Sequence, residues 1–460
     1  MTSDARISQD WTPLVRSALK QHFKTYTSLD IEKTWKSHHA DFAHVILSKG
    51  QSRRNIVAKH FFQIDDGTGD SLYDALHHPN FLWNHELISL ERIKEVTKKT
   101  PRKTALVPFT YGSSAENWVI LSKYIEGANG KRMLLDAEDD TRRAEVFLNG
   151  IKTIARFNGI TNAYATELDG SEKYYSRDRN RSQRASQSLF RDNLVRFIYS
   201  LDDNLKEEVP HFSVDEVKEK VRTRTGVDID DRLRTINGLE NSLHQEKKLQ
   251  HRDCNGLNLI DGVLVDLEDF GYSDWTDDIS SYSIVVGLGS NSIIRSPNFP
   301  YFIQAYLAIE QAYEKREFEV AAQLETSSNG TFSKYVGKIM DEHHYADFVN
   351  GFFASAITKN VQLGASYSRY DENVRRISGA SIGATKAELG ELFGMIAQCD
   401  PLIRACSQPA EIRNYFYELG RLFSDLNIAD INPYVLDGIR QGTVAGNLTE
   451  TSPFRSRIEF

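Results

Sequence analysis

A loop, a two-residue turn and a carboxylate closing a strand constrain this chain more than any other feature. His251-Arg252-Asp253-Cys254-Asn255-Gly256-Leu257-Asn258 runs directly into Leu259-Ile260-Asp261-Gly262-Val263-Leu264-Val265-Asp266. Leu259-Ile260 and Val263-Leu264-Val265 read as short apolar strands, and the Asp-Gly pair between them is a strong hairpin signal. Such a hairpin folds Asp266 back beside Asn258, where both side chains can reach one metal ion. Asp253 and Asn258 stand at opposite ends of one loop, so both can face one phosphate. A carboxylate to orient an attacking hydroxyl, with an amide and a second carboxylate for Mg2+, are the parts that phosphoryl transfer from ATP requires. A lone His-x-Asp is common; the extended pattern is much rarer. His251 reads as a structural brace of the loop rather than a proton carrier.

The 460 residues allow one large domain or two, and 40% hydrophobic with 26% charged residues is ordinary for a globular protein with a sizeable core. A net charge of -8 argues against a nucleic-acid surface and mildly favours a cationic or neutral small partner. Three cysteines, Cys254, Cys399 and Cys406, are too few for a disulfide framework, so a reducing cytoplasm is expected. The start, Met1-Thr2-Ser3-Asp4-Ala5-Arg6, has no apolar signal core. No run reaches the ~18 apolar residues of a membrane span. In a cytoplasmic protein the sequons at Asn329 and Asn447 are chance matches.

Along the chain, Trp11 to Phe23 reads as a lead helix. Ile31–Trp35, Phe42–Leu47 and Asn55–Phe62 read as strands, with a turn at Lys49-Gly50-Gln51-Ser52. His85–Lys98 is an amphipathic helix by its Leu87, Leu90, Ile93, Val96 spacing. Thr104–Thr110 and Trp118–Leu121 are expected to pair across Gly112-Ser113-Ser114. Beyond Gly127 the periodicity is helical, at Val146–Phe157, Leu189–Leu201, Val214–Arg222, Arg232–Leu249, Phe299–Lys315, Tyr345–Lys359, Lys386–Ala397 and Ile412–Leu426. The stretch from Gly170 to Ser188, arginine-rich around 174–184, reads as an exposed loop.

His251-Arg-Asp-Cys-Asn-Gly-Leu-Asn258 and Val265-Asp266-Leu-Glu-Asp269-Phe-Gly-Tyr resemble the catalytic loop and metal-binding segment of the aminoglycoside phosphotransferase and choline kinase superfamily. That family reads His-Gly-Asp-x4-Asn, then Ile-Asp-Trp/Phe-x-Asp, then a further aspartate. Asp278 matches the last position, which in the family braces the catalytic loop. The resemblance implies an α+β, two-lobed protein-kinase-like fold. Its N-terminal nucleotide-binding lobe, residues 1–125, is a small antiparallel sheet crossed by one helix. Its C-terminal lobe, 126–460, is mainly helical, and the helices of 290–460 shape the acceptor side.

Two further blocks bear on this. Ile56-Val57-Ala58-Lys59-His60-Phe61 carries one lysine among apolar neighbours, which is what a kinase uses to contact the nucleotide's phosphates. Taken alone, it reads better as an amphipathic edge strand with a surface lysine. By register with the family, Glu86 is its partner in preference to Glu91. Trp118-Val-Ile-Leu-Ser-Lys123-Tyr-Ile125-Glu-Gly127 resembles the linker between lobes, which implies that the Lys123 carbonyl and the Ile125 amide meet the adenine edge. The family's glycine- or Ser-Asn-containing turn is replaced by Lys36-Ser37-His38-His39-Ala40-Asp41-Phe42, leaving Ser37 and the two histidines to contact the triphosphate. Arg252 replaces a glycine, as in protein kinases. Leu267-Glu268-Asp269 replaces their Phe-Gly, which ranks a small acceptor above a protein.

Val285-Val-Gly287-Leu-Gly289 lacks the third glycine of a dinucleotide loop and reads as a turn. His343 and Asp347 share a helical face, read here as solvated or substrate-facing rather than metal-binding. The expectation is an ATP- and Mg2+-dependent kinase of a small hydroxyl compound, with GTP also open. An amine-bearing acceptor would suit the acids at Glu268, Asp269, Asp274 and Asp277, which are otherwise structural. Two alternatives remain at this point: a nucleotide-binding interaction module without turnover, and a kinase acting on protein or peptide.

Overall fold

The computed structural model describes residues 10–19, 26–36, 40–62, 78–101, 105–169, 193–242, 246–287, 299–327, 329–367 and 382–443. The chain is α+β, the class expected from its sequence, and divides into two compact units. One comprises Met1–Met133, Tyr164–Tyr174 and Leu257–Phe270; the other comprises Leu134–Ala163, Tyr175–Gly256 and Gly271–Phe460. No helix among the described residues is long and apolar enough to cross a membrane.

The first unit is built on five antiparallel strands, β1 (Ser28–Lys36), β2 (Ala40–Lys49), β3 (Ser52–Phe61), β4 (Thr110–Ser114) and β5 (Val119–Lys123), in the order β1-β2-β3-β5-β4. Gly50, with φ of +59°, occupies the first position of the two-residue turn between β2 and β3, where a type II′ turn demands a positive φ. Strand alternation splits the sheet. Ala43, Val45 and Leu47, Ile56 and Ala58, and Val119 and Leu121 face one way and bury Trp11, Val15, Ala18 and Leu19 of the Trp11–Leu19 helix. Lys59, next to Ala58, therefore faces the other way, towards the Pro79–Thr97 helix inserted between β3 and β4. That helix starts six residues before the expected His85. Pro79 fits the first turn, where its missing N–H is no loss, and the His78 side chain caps the Asn80 amide at 3.2 Å.

The expected pairing across Gly112-Ser113-Ser114 is corrected. These residues lie inside β4, and the chain turns at 115–118, where Trp118 has φ of +47°. Gly112 sits against the carbonyl of Ala18, where a Cβ would collide with backbone. Gly112→Ala is expected to cost about 1–3 kcal/mol by overpacking. An unchanged denaturation midpoint would contradict that close approach.

The second unit is largely helical. Asp140–Ala163 packs along Phe299–Glu314, and Gly159 permits close approach to the Glu310 carbonyl. The expected helix over Arg232–Leu249 is also corrected: a helix spans Ile229–Ser242, and Lys247–Gln250 forms strand β6. Its partner is β9 (Gly271–Asp274), a distant pairing invisible to local periodicity. Val285 to Gly287 lie in the Asp277–Gly287 helix, and the rest of the expected turn, from 288 on, lies outside the described residues. His343, His344 and Asp347 are exposed on the Glu342–Tyr367 helix. The helices Phe318–Thr326, Asn329–Ile339 and Pro433–Gln441 escaped the sequence reading. Ser37, the remainder of the glycine-poor turn at 37–39, and the arginine-rich stretch at 174–184 lie outside the described residues.

Candidate active site

The hairpin of the opening motif forms within the first unit. Strands β7 (Leu259–Ile260) and β8 (Val263–Leu264) pair Leu259 with Leu264 and Ile260 with Val263. Asp261 and Gly262 have φ of +46° and +72°, the two positive values a type I′ turn requires. The Val265 amide donates to the Asn258 carbonyl at 2.9 Å, so the residue preceding Asp266 lies opposite buried Asn258. Asp266 has φ of +67°, a left-handed conformation unusual for a non-glycine residue.

Lys59 is 5% exposed and meets three carboxylates. Its Nζ donates to Glu86 Oε2 at 2.6 Å, to Glu268 Oε2 at 3.0 Å and to Asp266. Glu91 is exposed, five residues from Glu86 and on another face of the helix. Burial alone would lower the Lys59 pKa, but attraction by Asp266, Glu268 and Glu86 holds it well above the usual lysine value. Burial raises the pKa of Glu86, opposed by Lys59, and burial with the Asp266 charge raises that of Glu268 further. Oxygens of Glu86, Asp266 and Glu268 lie within 4.8 Å of one another. One cation among three carboxylates leaves a surplus of negative charge on hard oxygen donors, a set that fits a divalent cation such as Mg2+.

The Asp253 loop belongs to the second unit. Fully buried Asp278 accepts the His251 amide at Oδ2 and the Arg252 amide at Oδ1, each at 2.7 Å. Burial raises the Asp278 pKa, partly opposed by His251 and by these two amides. The His251 ring is buried edge-on against Phe157, 5.9 Å between centroids. Gln250 Oε1 receives the Asp278 amide at 3.3 Å and Asn158 Nδ2 at 3.1 Å, anchoring the start of that helix. Arg252 carries φ of +73°, and Lys359 Nζ donates to its carbonyl at 3.1 Å while pairing with Asp277 at 3.3 Å. Asp253 itself is half-buried, with Asn255 Nδ2 donating to its Oδ1 at 3.1 Å. Neighbouring Cys254 is buried, and burial pushes its thiol pKa well up, which suits a packing residue rather than a nucleophile.

At the end of β5, the Lys123 amide donates to the Phe109 carbonyl at 2.7 Å and the Tyr124 amide to Asn55 at 3.3 Å. Tyr124 stacks on His44 with centroids 3.9 Å apart, and Ile125 follows. The structure thus gathers Lys59, Glu86 and Asp266 beside the Asn258 hairpin, and separately His251, Asp253 and Asp278. One contributor was assigned a different role from sequence and one was missed. Glu268 was read only as one of several acids suited to an amine-bearing acceptor, whereas its Oε2 accepts from Lys59 Nζ at 3.0 Å. Lys359 comes from a distant helix and has no signal in the local sequence.

No protein-family model matches the chain, and no curated protein matches it in sequence. Solved structures similar to the chain include the following two. An ethanolamine kinase of Plasmodium vivax is 14% identical, with a TM-score of 0.33, over 76% of this chain and 84% of that one. A choline kinase of Cryptosporidium parvum is 9% identical, with a TM-score of 0.42, over 91% of this chain and 98% of that one.

Proposed function

We propose that this protein transfers the γ-phosphate of ATP, with Mg2+, to a hydroxyl of a small molecule. The observation that carries the reading is Lys59, buried among Glu86, Asp266 and Glu268 with negative charge to spare. This arrangement suits a lysine that also meets phosphate beside a bound cation. In this reading Lys59 contacts the α- and β-phosphates and Glu86 holds its ammonium in place. Asn258 and Asp266 ligate Mg2+, and Glu268 adds charge to the same site. When bound, the ion offsets phosphate charge. The Lys123 carbonyl and Ile125 amide meet the purine edge.

Asp253 orients the acceptor hydroxyl and takes its proton as the oxygen bonds to the γ-phosphorus and the bond to the β-phosphate oxygen breaks, releasing ADP. His251 and Asp278 hold the loop that carries Asp253. Rate enhancement then comes from placement and charge neutralisation.

The test is ADP formation across a library of hydroxyl compounds, amine-bearing ones included. Asp253→Ala is expected to lower turnover by about 10²-fold or more while keeping ATP binding. Undiminished turnover in that variant would sink the role of Asp253. Calorimetric ATP binding with no turnover on any acceptor would replace the proposal with a nucleotide-binding interaction module.

A further inference from the structure

The first unit also holds a cavity whose lining is opposite in sign to the carboxylate cluster around Lys59. This cavity of about 720 Å³, within the range of small-ligand pockets, is lined by Arg53, Arg54, Lys94, Lys98 and Lys123. Against these five cations it has two acids, Glu126 and Asp261, in a chain whose net charge is -8. Lys98 pairs with Glu95 at 2.6 Å, and Glu126 receives Asn55 Nδ2 at 3.3 Å. Arg53, Arg54, Lys94 and Lys123 make no ion pair with a described residue. Two of them are held by rings instead: Lys94 Nζ lies 3.8 Å from the Phe109 centroid and the Arg54 guanidinium 4.8 Å from that of Tyr111. Ring contacts fix these two side chains without an ion pair among the described residues, so the described lining is net positive. Phe109 is 45% exposed, beside the apolar Leu106-Val107-Pro108 segment.

We infer that this cavity binds a small organic phosphate with a flat apolar body, its phosphate between Arg54 and Lys94 and its body against Phe109. A phosphate there supplies the missing anion through charge-assisted hydrogen bonds, and the exposed ring receives apolar surface. The site is separate from the phosphate contacts of the candidate active site. None of Lys59, Glu86, Asp266 or Glu268 lines it. Along β3, Lys59 lies four residues beyond Asn55, or about 13 Å. Lys123 and Ile125 line the cavity and are also the proposed purine contacts, so location has to be read directly.

The probe is 1-naphthyl phosphate, compared by calorimetry with 1-naphthol and with inorganic phosphate. The expected result is binding of naphthyl phosphate well ahead of both controls, weakened about tenfold or more in Arg54→Glu/Lys94→Glu by reversal of both charges. Hydrogen exchange is expected to slow at 94–98 and 105–111 and to stay unchanged at 266–268. Should the double variant fail to fold, Lys98→Glu/Lys123→Glu serves the same purpose. No binding, binding insensitive to charge reversal, or protection centred on 266–268 would each overturn the inference. Absence of ATP turnover would leave it standing, so its failure and that of the phosphotransferase reading are distinguishable.

Discussion

Lys59→Met is expected to lower folding stability by about 3–5 kcal/mol, the usual cost of removing one partner from a buried ion cluster. Methionine keeps the bulk of the stem but leaves Glu86, Asp266 and Glu268 facing one another with no cation. Such a cluster relieves itself by taking up protons. Lys59 already opposes the burial that raises the Glu86 and Glu268 pKa values, so its loss lets both rise further. The unfolded chain titrates its glutamates near ~4.3. Between that value and the raised folded values, the folded variant binds more protons than the unfolded chain, and stability falls as pH rises. The deficit against wild type should therefore be smaller at about pH 5.5 than at about pH 8, a contrast readable by urea denaturation at both. A deficit independent of pH would mean that the three acids do not share the charge of Lys59. Under the proposed function the same variant also loses ATP turnover, and the pH contrast separates that loss from simple unfolding.

What was readable in advance was whatever local chemistry dictates. The Asp261-Gly262 turn follows from two positive φ values that few residue pairs tolerate. Placing Lys59 on one face of β3 follows from strand alternation. Other features depend on chain segments far apart in sequence. β6 exists because Lys247–Gln250 finds Gly271–Asp274, and Lys359 reaches the Arg252 carbonyl from a helix near residue 360. The departure at Arg252 shows how local and distant information combine. The resemblance expects glycine there, and φ of +73° is a conformation glycine adopts at no cost. A non-glycine residue held in that region stores about 1–3 kcal/mol, which the surroundings must offset.

Those surroundings are chiefly Asp278, and Asp278→Ala is the variant expected to undo them. Its carboxylate spans the amides of His251 and Arg252, one on each oxygen, and both residues are buried. Without it two buried N–H groups lose their acceptor, at about 1–3 kcal/mol each. The left-handed Arg252 peptide then keeps the Lys359 contact at its carbonyl but loses the acceptor at its amide. The loop should relax, and Asp253 follows Arg252 directly in the chain. A displacement of ~1 Å at a group that orients a nucleophile costs on the order of 10²-fold in rate. The expected signature is therefore a large fall in kcat with the KM for ATP nearly unchanged, because the proposed ATP contacts lie on other residues. Asp278→Asn keeps one oxygen acceptor but turns an NH2 towards the second amide, so it should fall between wild type and alanine. A kcat unaffected by Asp278→Ala in folded protein would show that the loop holds its shape unaided. A rise in the KM for ATP without loss of kcat would assign Asp278 to nucleotide binding instead of to the loop.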